Sequence, residues 1–247
     1  MGLSDSQKKI ASNIAWALGG KIVNMASALF IGILVARYLG PNNYGIMNYV
    51  ISYVSIFSII ASFGLDDIEI RELSKHNENR NIILGSCFFI RIVFATIAYI
   101  GIIVSLLFYQ TDRLTFSMIL VYGLTLFSGT GNIFRNYFTS IVQNRYIVKS
   151  EIMRTALGGL IKILLLWLKA PLEYFIYSQI LDSIIVGSGY CLSYKSICGT
   201  VKNWSIDKKL ILFIIKESYP LVISGAAVII YQRIDQVMIG NMLNKTE

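Results

Sequence analysis

Seven apolar stretches limit what this chain can become: 11–35, 45–64, 82–108, 114–142, 147–168, 172–194 and 220–243. Each is at or above the ~20 residues a helix needs to cross a ~30 Å hydrocarbon layer. In lipid only helices and closed barrels satisfy every backbone polar group. Barrel strands alternate over roughly 9–11 residues and do not run this long. The fold class is therefore all-α and polytopic, with about seven transmembrane helices. Composition agrees, with 55% apolar and 15% charged residues against roughly 25% charged in soluble domains. The longest connecting piece, 65–81, is too short for a catalytic domain. Neither enzymatic activity nor a catalytic residue is expected.

Cys87, Cys191 and Cys198 are odd in number and lie in or beside apolar stretches, the pattern of small buried hydrophobes. The single histidine, His76, stands in a polar loop, so no helical zinc or haem site can be assembled from histidines. No metal and no cofactor is expected. Met1-Gly2 with Ser6 matches an acylation pattern, but an acyl anchor adds little to a chain already held by several spans. The first stretch reads as a retained helix, since no small-residue cleavage site follows a short apolar core. Two Asn-x-Ser/Thr matches, at Asn203 and Asn244, are short enough to arise by chance.

With the N-terminus in the cytoplasm and the spans alternating, thirteen of the 22 basic residues fall on cytoplasmic segments or their edges. These are Lys8, Lys9, Arg71, Lys75, Arg80, Arg145, Lys149, Arg154, Lys195, Lys202, Lys208, Lys209 and Lys216. Only Arg37, Arg113, Lys169 and Lys245 fall on the other side, which is the bias of the positive-inside rule. The cations are spread over separate loops without a stripe of stacking aromatics, so nucleic acid is not an expected partner. Residues 205–217 are basic and then apolar, and are expected to lie along the inner membrane surface as an amphipathic helix before Pro220 opens the last span.

Five cations sit inside spans: Lys21, Arg91, Arg135, Lys162 and Arg233. Only two acids do, Asp182 and Asp235. A charge at the bilayer centre costs at least ~2.5–3.5 kcal/mol, so by default it faces protein or a wet cavity. The five are therefore candidate substrate-binding residues, and a cavity with surplus positive charge favours an anionic passenger. Snorkelling to the interface is the alternative, most readily for Arg135 and Lys162. Asp235 is two residues from Arg233 and so on a different side of the helix. It is a candidate for ion coupling, or for a salt bridge to Lys21 or Arg91. Asp66-Asp67-Ile68-Glu69 supplies too few ligands for a magnesium site and is expected to be a solvated loop helix, with pairs such as Asp67–Arg71 and Glu72–His76.

Span one ends in Ala36-Arg37-Tyr38-Leu39-Gly40-Pro41 followed by Tyr44-Gly45, and span two ends in Phe63-Gly64-Leu65 with Arg71-Glu72 beyond. Pro220 and the run Ile234-Asp235-Gln236-Val237-Met238-Ile239-Gly240 come later. Together these resemble the polysaccharide repeat-unit flippases, the O-antigen and capsule exporters of the multidrug/oligosaccharidyl-lipid/polysaccharide exporter superfamily. The resemblance implies that undecaprenyl-diphosphate-linked oligosaccharides move from the cytoplasmic to the outer leaflet of a bacterial inner membrane. Two six-helix bundles would rock around a cationic cavity. It also gives Gly40, Pro41 and Gly45 a role in a tight turn between spans one and two.

Such transporters carry about twelve or more spans, so seven correspond to one bundle and the first helix of another. The expected division is a six-helix bundle over 1–198, a cytoplasmic linker with its amphipathic helix over 199–217, and the opening helix of a second bundle over 218–247. The chain is expected to be truncated, or completed by a homodimer or a separately encoded second half. Expected partners are the lipid-linked oligosaccharide, membrane lipids, and the polysaccharide polymerase with its chain-length machinery. The alternatives are a cation-coupled multidrug exporter using Asp235 and an inactive remnant that binds a partner protein.

Overall fold

The computed structural model describes the backbone of residues 5–108 and 112–242. Side chains are described from Trp16 onward, except Ala17, residues 109–111, Arg233, Asp235, Gln236, Val237 and residues 239–247. The acylation match at Met1-Gly2 and the Asn244 sequon thus lie outside the described residues. The helices are α1 (Asp5–Ser62), α2 (Leu65–Lys75), α3 (Arg80–Phe108), α4 (Arg113–Gly123), α5 (Thr125–Ser128), α6 (Asn132–Ser140), α7 (Asn144–Trp167), α8 (Leu172–Cys198) and α9 (Lys208–Met242). No strand occurs among the described residues, and the protein is an all-α polytopic membrane protein.

A straight helix of 58 residues would measure ~87 Å at 1.5 Å per residue, nearly three hydrocarbon layers. Instead α1 breaks at Gly40, whose φ of 69° and ψ of 174° are non-helical and in a region that glycine alone enters readily. Pro41 then opens the second arm, where its missing N–H would have no helical partner in any case. Gly45 lies further on, inside that helical arm.

Side-chain pairs fix the direction of each pass. Along the first arm of α1 and α7, Asn24 bonds Glu151, a Cβ on Gly159 would meet Ile31, and Tyr38 donates to the Ala170 carbonyl. Numbers rise together, so these two passes are parallel. Gly189 lies against Ser150 and Asp182 against Lys162, making α8 antiparallel to α7. Cys198 reaches Tyr137 and Gly131 faces Gly187, so the α4–α6 pass is parallel to α8. Arg80 touches Tyr137 while Tyr99 reaches the Leu120 carbonyl, which turns α3 against it. Tyr53 bonds Ser105 and Phe63 stacks on Phe94, turning the second arm of α1 against α3. Gly64 packs on Leu221, and Ile229 lies beside Val54, so α9 runs antiparallel to that arm. The seven passes alternate throughout.

Among the described residues, five stretches are long and apolar enough to cross a membrane: Leu18–Lys75, Asn77–Phe108, Arg113–Ser140, Leu172–Cys198 and Lys208–Gln232. The first contains both arms of α1. The stretch expected at 147–168 forms α7 but is absent from this set, since Lys149, Glu151, Arg154 and Lys162 dilute its apolar character. Large side chains such as Phe108 and Trp167 stand 85% and 80% exposed, as lipid-facing groups can. One core, around Val50, Ile102, Ile119 and Phe175, lies toward the Gly40 corner. The other, around Leu65, Leu84, Ile133 and Ile214, gathers at the opposite end of the bundle.

Two expectations change. The apolar run 114–142 is not one helix: it is interrupted after Gly123 and again by a 3-10 turn at Gly129–Gly131. Thr125, Ser128 and Thr130 each donate a hydroxyl to the carbonyl three residues back, a local competitor to helical bonding. The segment 205–217 is not a separate surface helix. Most of it is the first part of α9, continuous through Pro220, with Ile214 fully buried and Leu210, Ile211 and Ile215 packed into the second core.

Because Gly40 is at positive φ with open space around it, Gly40→Ala should lower stability through backbone strain alone, by about 1–3 kcal/mol. Gly19→Ala, in α1 with nothing within 4 Å, should be neutral or stabilising by up to ~1 kcal/mol. Thermal unfolding of the two purified variants in the same detergent makes the comparison.

Candidate functional site

In α2, Leu65, Ile68, Glu69, Glu72 and Leu73 are all buried. Their spacing of i, i+3, i+4, i+7, i+8 is that of one helix face, so two acids sit on the apolar side of the helix. Arg91 of α3 meets Glu69 and the nearby Asp66: its Nη2 donates to Asp66 Oδ1 at 2.6 Å and to Glu69 Oε2 at 2.7 Å. Asn136 of α6 donates to the same two oxygens at 2.9 and 3.0 Å. Glu69 and Asn136 are fully buried and Arg91 is 3% exposed. This corrects the expectation of a solvated loop helix. Arg71 pairs with Glu72 and with Glu217 of α9 at 3.0 and 3.1 Å, tying α9 to the same short helix.

The cluster is not fully satisfied. Glu69 Oε1, Arg91 Nε and Asn136 Oδ1 are buried without a hydrogen-bond partner. Arg91 also lines a cavity of about 340 Å³ with Ser55, Ser58, Ser62, Thr125, Thr130 and Asn132. The wall combines serine and threonine hydroxyls with one guanidinium edge, a surface suited to water or to hydroxyl-bearing ligands.

A second cavity, of about 220 Å³, lies between the first arm of α1, α7 and α8. Arg154, Thr155, Gly158, Gly159 and Lys162 contribute one stripe of α7 at helical spacing, facing Asn24 on α1 and Gln179 and Asp182 on α8. Asn24 donates to Glu151 at 3.1 Å and accepts from Thr155, while Tyr190 holds the other Glu151 oxygen at 3.2 Å. Lys162 is ion-paired with Asp182. Gly158 lets α8 approach, because a Cβ there would run into the Asp182 carboxylate. Arg154 Nε and Asp182 Oδ1 are buried and unpartnered. The cavity wall thus carries an arginine, a lysine–aspartate pair and two amides.

The family model described as polysaccharide biosynthesis protein matches residues 10–247. The chain belongs to that family. Comparison with curated proteins and with solved structures found no match.

In this member of the polysaccharide biosynthesis protein family, the four described intramembrane cations do not converge on one place. Lys162 is in the α1–α7–α8 cavity, and Arg91 is at the edge of the hydroxyl-lined one. Lys21 and Arg135 are exposed. The side chains of Arg233 and Asp235 lie outside the described residues. The surplus of positive charge read from the spans shrinks, because Arg91 is met by two carboxylates that the sequence reading placed on a loop. Arg154, read as a cytoplasmic edge residue, is the polar group that reading missed. The periodic polar stripe Glu151, Arg154, Thr155, Gly158, Lys162 was its signal.

Removing one side of a buried ion pair strands the other charge at a cost of about 3–5 kcal/mol, whereas replacing the whole set by apolar or neutral groups is often neutral. Arg91→Met should therefore destabilise by that amount. The triple variant D66N/E69Q/R91M should recover most of the loss. Thermal unfolding and the yield of monodisperse protein decide it.

Proposed function

We propose that this protein takes part in moving lipid-linked oligosaccharide repeat units, carried on undecaprenyl diphosphate, from the cytoplasmic to the outer leaflet of a bacterial inner membrane, with its own N-terminus in the cytoplasm. The observation that carries this reading is the α1–α7–α8 cavity, in which a half-buried arginine keeps its Nε unpartnered beside amides and a lysine–aspartate pair. Diphosphate needs such a donor, and sugar hydroxyls need amides and carboxylates. The family match supports a role in polysaccharide biosynthesis, and the alternating apolar passes support transport rather than group-transfer chemistry.

The oligosaccharide serves O-antigen or capsule assembly in this proposal, with the polymerase and chain-length machinery as downstream partners. Within that scheme Lys162 and Arg154 face the substrate, whereas Arg91 holds the bundle together through α2.

The test is deletion of the gene in its host, followed by extraction of lipid-linked oligosaccharides and staining of surface polysaccharide. Repeat units should accumulate on the carrier and the surface polymer should fall. The wild-type gene should restore it, and R154Q or K162M, expressed to equal levels, should restore at least tenfold less. Unchanged carrier lipid and polymer after deletion would defeat the proposal, and altered drug susceptibility of that strain would favour a multidrug exporter instead.

A further inference from the structure

Away from both interior cavities, a cleft of about 540 Å³ opens on the bundle surface where the first arm of α1 passes the start of α7. Its walls are Trp16 from α1 and Arg145, Tyr146, Lys149 and Ile152 from α7. Gly20 brings the helices together just beyond it, since a Cβ there would strike Val148. Arg145 donates to the Tyr146 hydroxyl at 2.8 Å, and its guanidinium carbon lies 4.7 Å from that ring's centre. The cation is held in place by an aromatic neighbour, not by an acid. Among the described residues no lining side chain is acidic, and neither Arg145 nor Lys149 has an ion-pair partner.

The same face of α7 continues differently. At helical spacing, Arg145 and Lys149 are followed by Ile152, Ala156, Leu160 and Ile163, of which Leu160 and Ile163 are 63% and 45% exposed. From Lys149 to Ile163 the helix rises ~21 Å, more than the ~15 Å hydrocarbon depth of one leaflet. Two cations at one end, an aromatic pair at the interface level and a long apolar strip below match the shape of a phospholipid. A zwitterionic headgroup would bring an ammonium for which the described lining has no carboxylate. An anionic headgroup leaves both cations matched.

We propose that this cleft binds the phosphate of an anionic phospholipid, with an acyl chain lying along the apolar strip of α7. The site is separate from the α1–α7–α8 cavity and stands whether or not the protein moves oligosaccharides. Its test therefore needs no transport activity.

The full chain, purified in detergent, is equilibrated with equal amounts of phosphatidylglycerol and phosphatidylethanolamine, and retained lipid is counted by native mass spectrometry. Phosphatidylglycerol should be retained about tenfold over phosphatidylethanolamine. R145Q/K149Q, which alters two exposed side chains, should lose that preference, with K149Q alone intermediate. K208Q/K209Q, an equal change of charge elsewhere, should keep it, and millimolar inorganic phosphate should leave the lipid bound. Equal retention of both lipids by the wild type would overturn the proposal, as would a preference that survives R145Q/K149Q. Displacement by inorganic phosphate would also overturn it, showing a simple anion site. Thermal unfolding of each variant confirms that the comparison is between folded proteins.

Discussion

Arg91 is the group around which this bundle is organised. A guanidinium 3% exposed in the middle of an apolar helix is tolerable only if carboxylates are brought to it, and those come from α2, the short helix after Gly64. To deliver Asp66 and Glu69, α2 must press its acidic and apolar face against α3 and α6, where Asn136 completes the contact. Once α2 is seated, Arg71 reaches Glu217 and the front of α9 is drawn against the same end. Burial of charge thus does here what apolar packing alone does poorly in lipid, where tails are as apolar as leucine and leave no hydrophobic gain between helices.

The second polar layer has another character. The α7 stripe from Glu151 to Lys162 faces α1 and α8 across small residues, and its bonds run between side chains on three helices. The layer around Arg91 pairs its guanidinium with two carboxylates that also accept from Asn136, and leaves Glu69 Oε1, Arg91 Nε and Asn136 Oδ1 over. The α7 layer leaves Arg154 Nε and an Asp182 oxygen without partners beside open space. The first layer ties α2, α3 and α6 through charge, and the second joins α1, α7 and α8 around a cavity, in a protein whose family works in polysaccharide biosynthesis.

Much of the architecture was legible from apolar length alone. The lengths and spacing of the apolar runs place the alternating passes, and Gly40-Pro41 marks the one-residue reversal between the first two. What the reading missed came from treating charge as a sign of solvent. The acids of α2 alternate with bases as a surface helix would, and only their coincidence with Leu65, Ile68 and Leu73 on one face shows that they point inward. Arg154 was hidden by the same habit, being close enough to the end of its run to count as an edge. The breaks in 114–142 were masked by hydropathy, which does not register that Thr125, Ser128 and Thr130 turn their hydroxyls onto the backbone.

The arrangement of the Arg91 cluster also has a meaning in time. Asp66 and Glu69 precede Arg91 by 25 and 22 residues, so the ribosome makes the acids first. By the time α3 enters the bilayer, both carboxylates that meet its deeply placed charge have already been made. Asn136 is made last and donates to the same two oxygens. The order of synthesis thus spares the nascent protein a stage at which an unmatched guanidinium must cross oil alone.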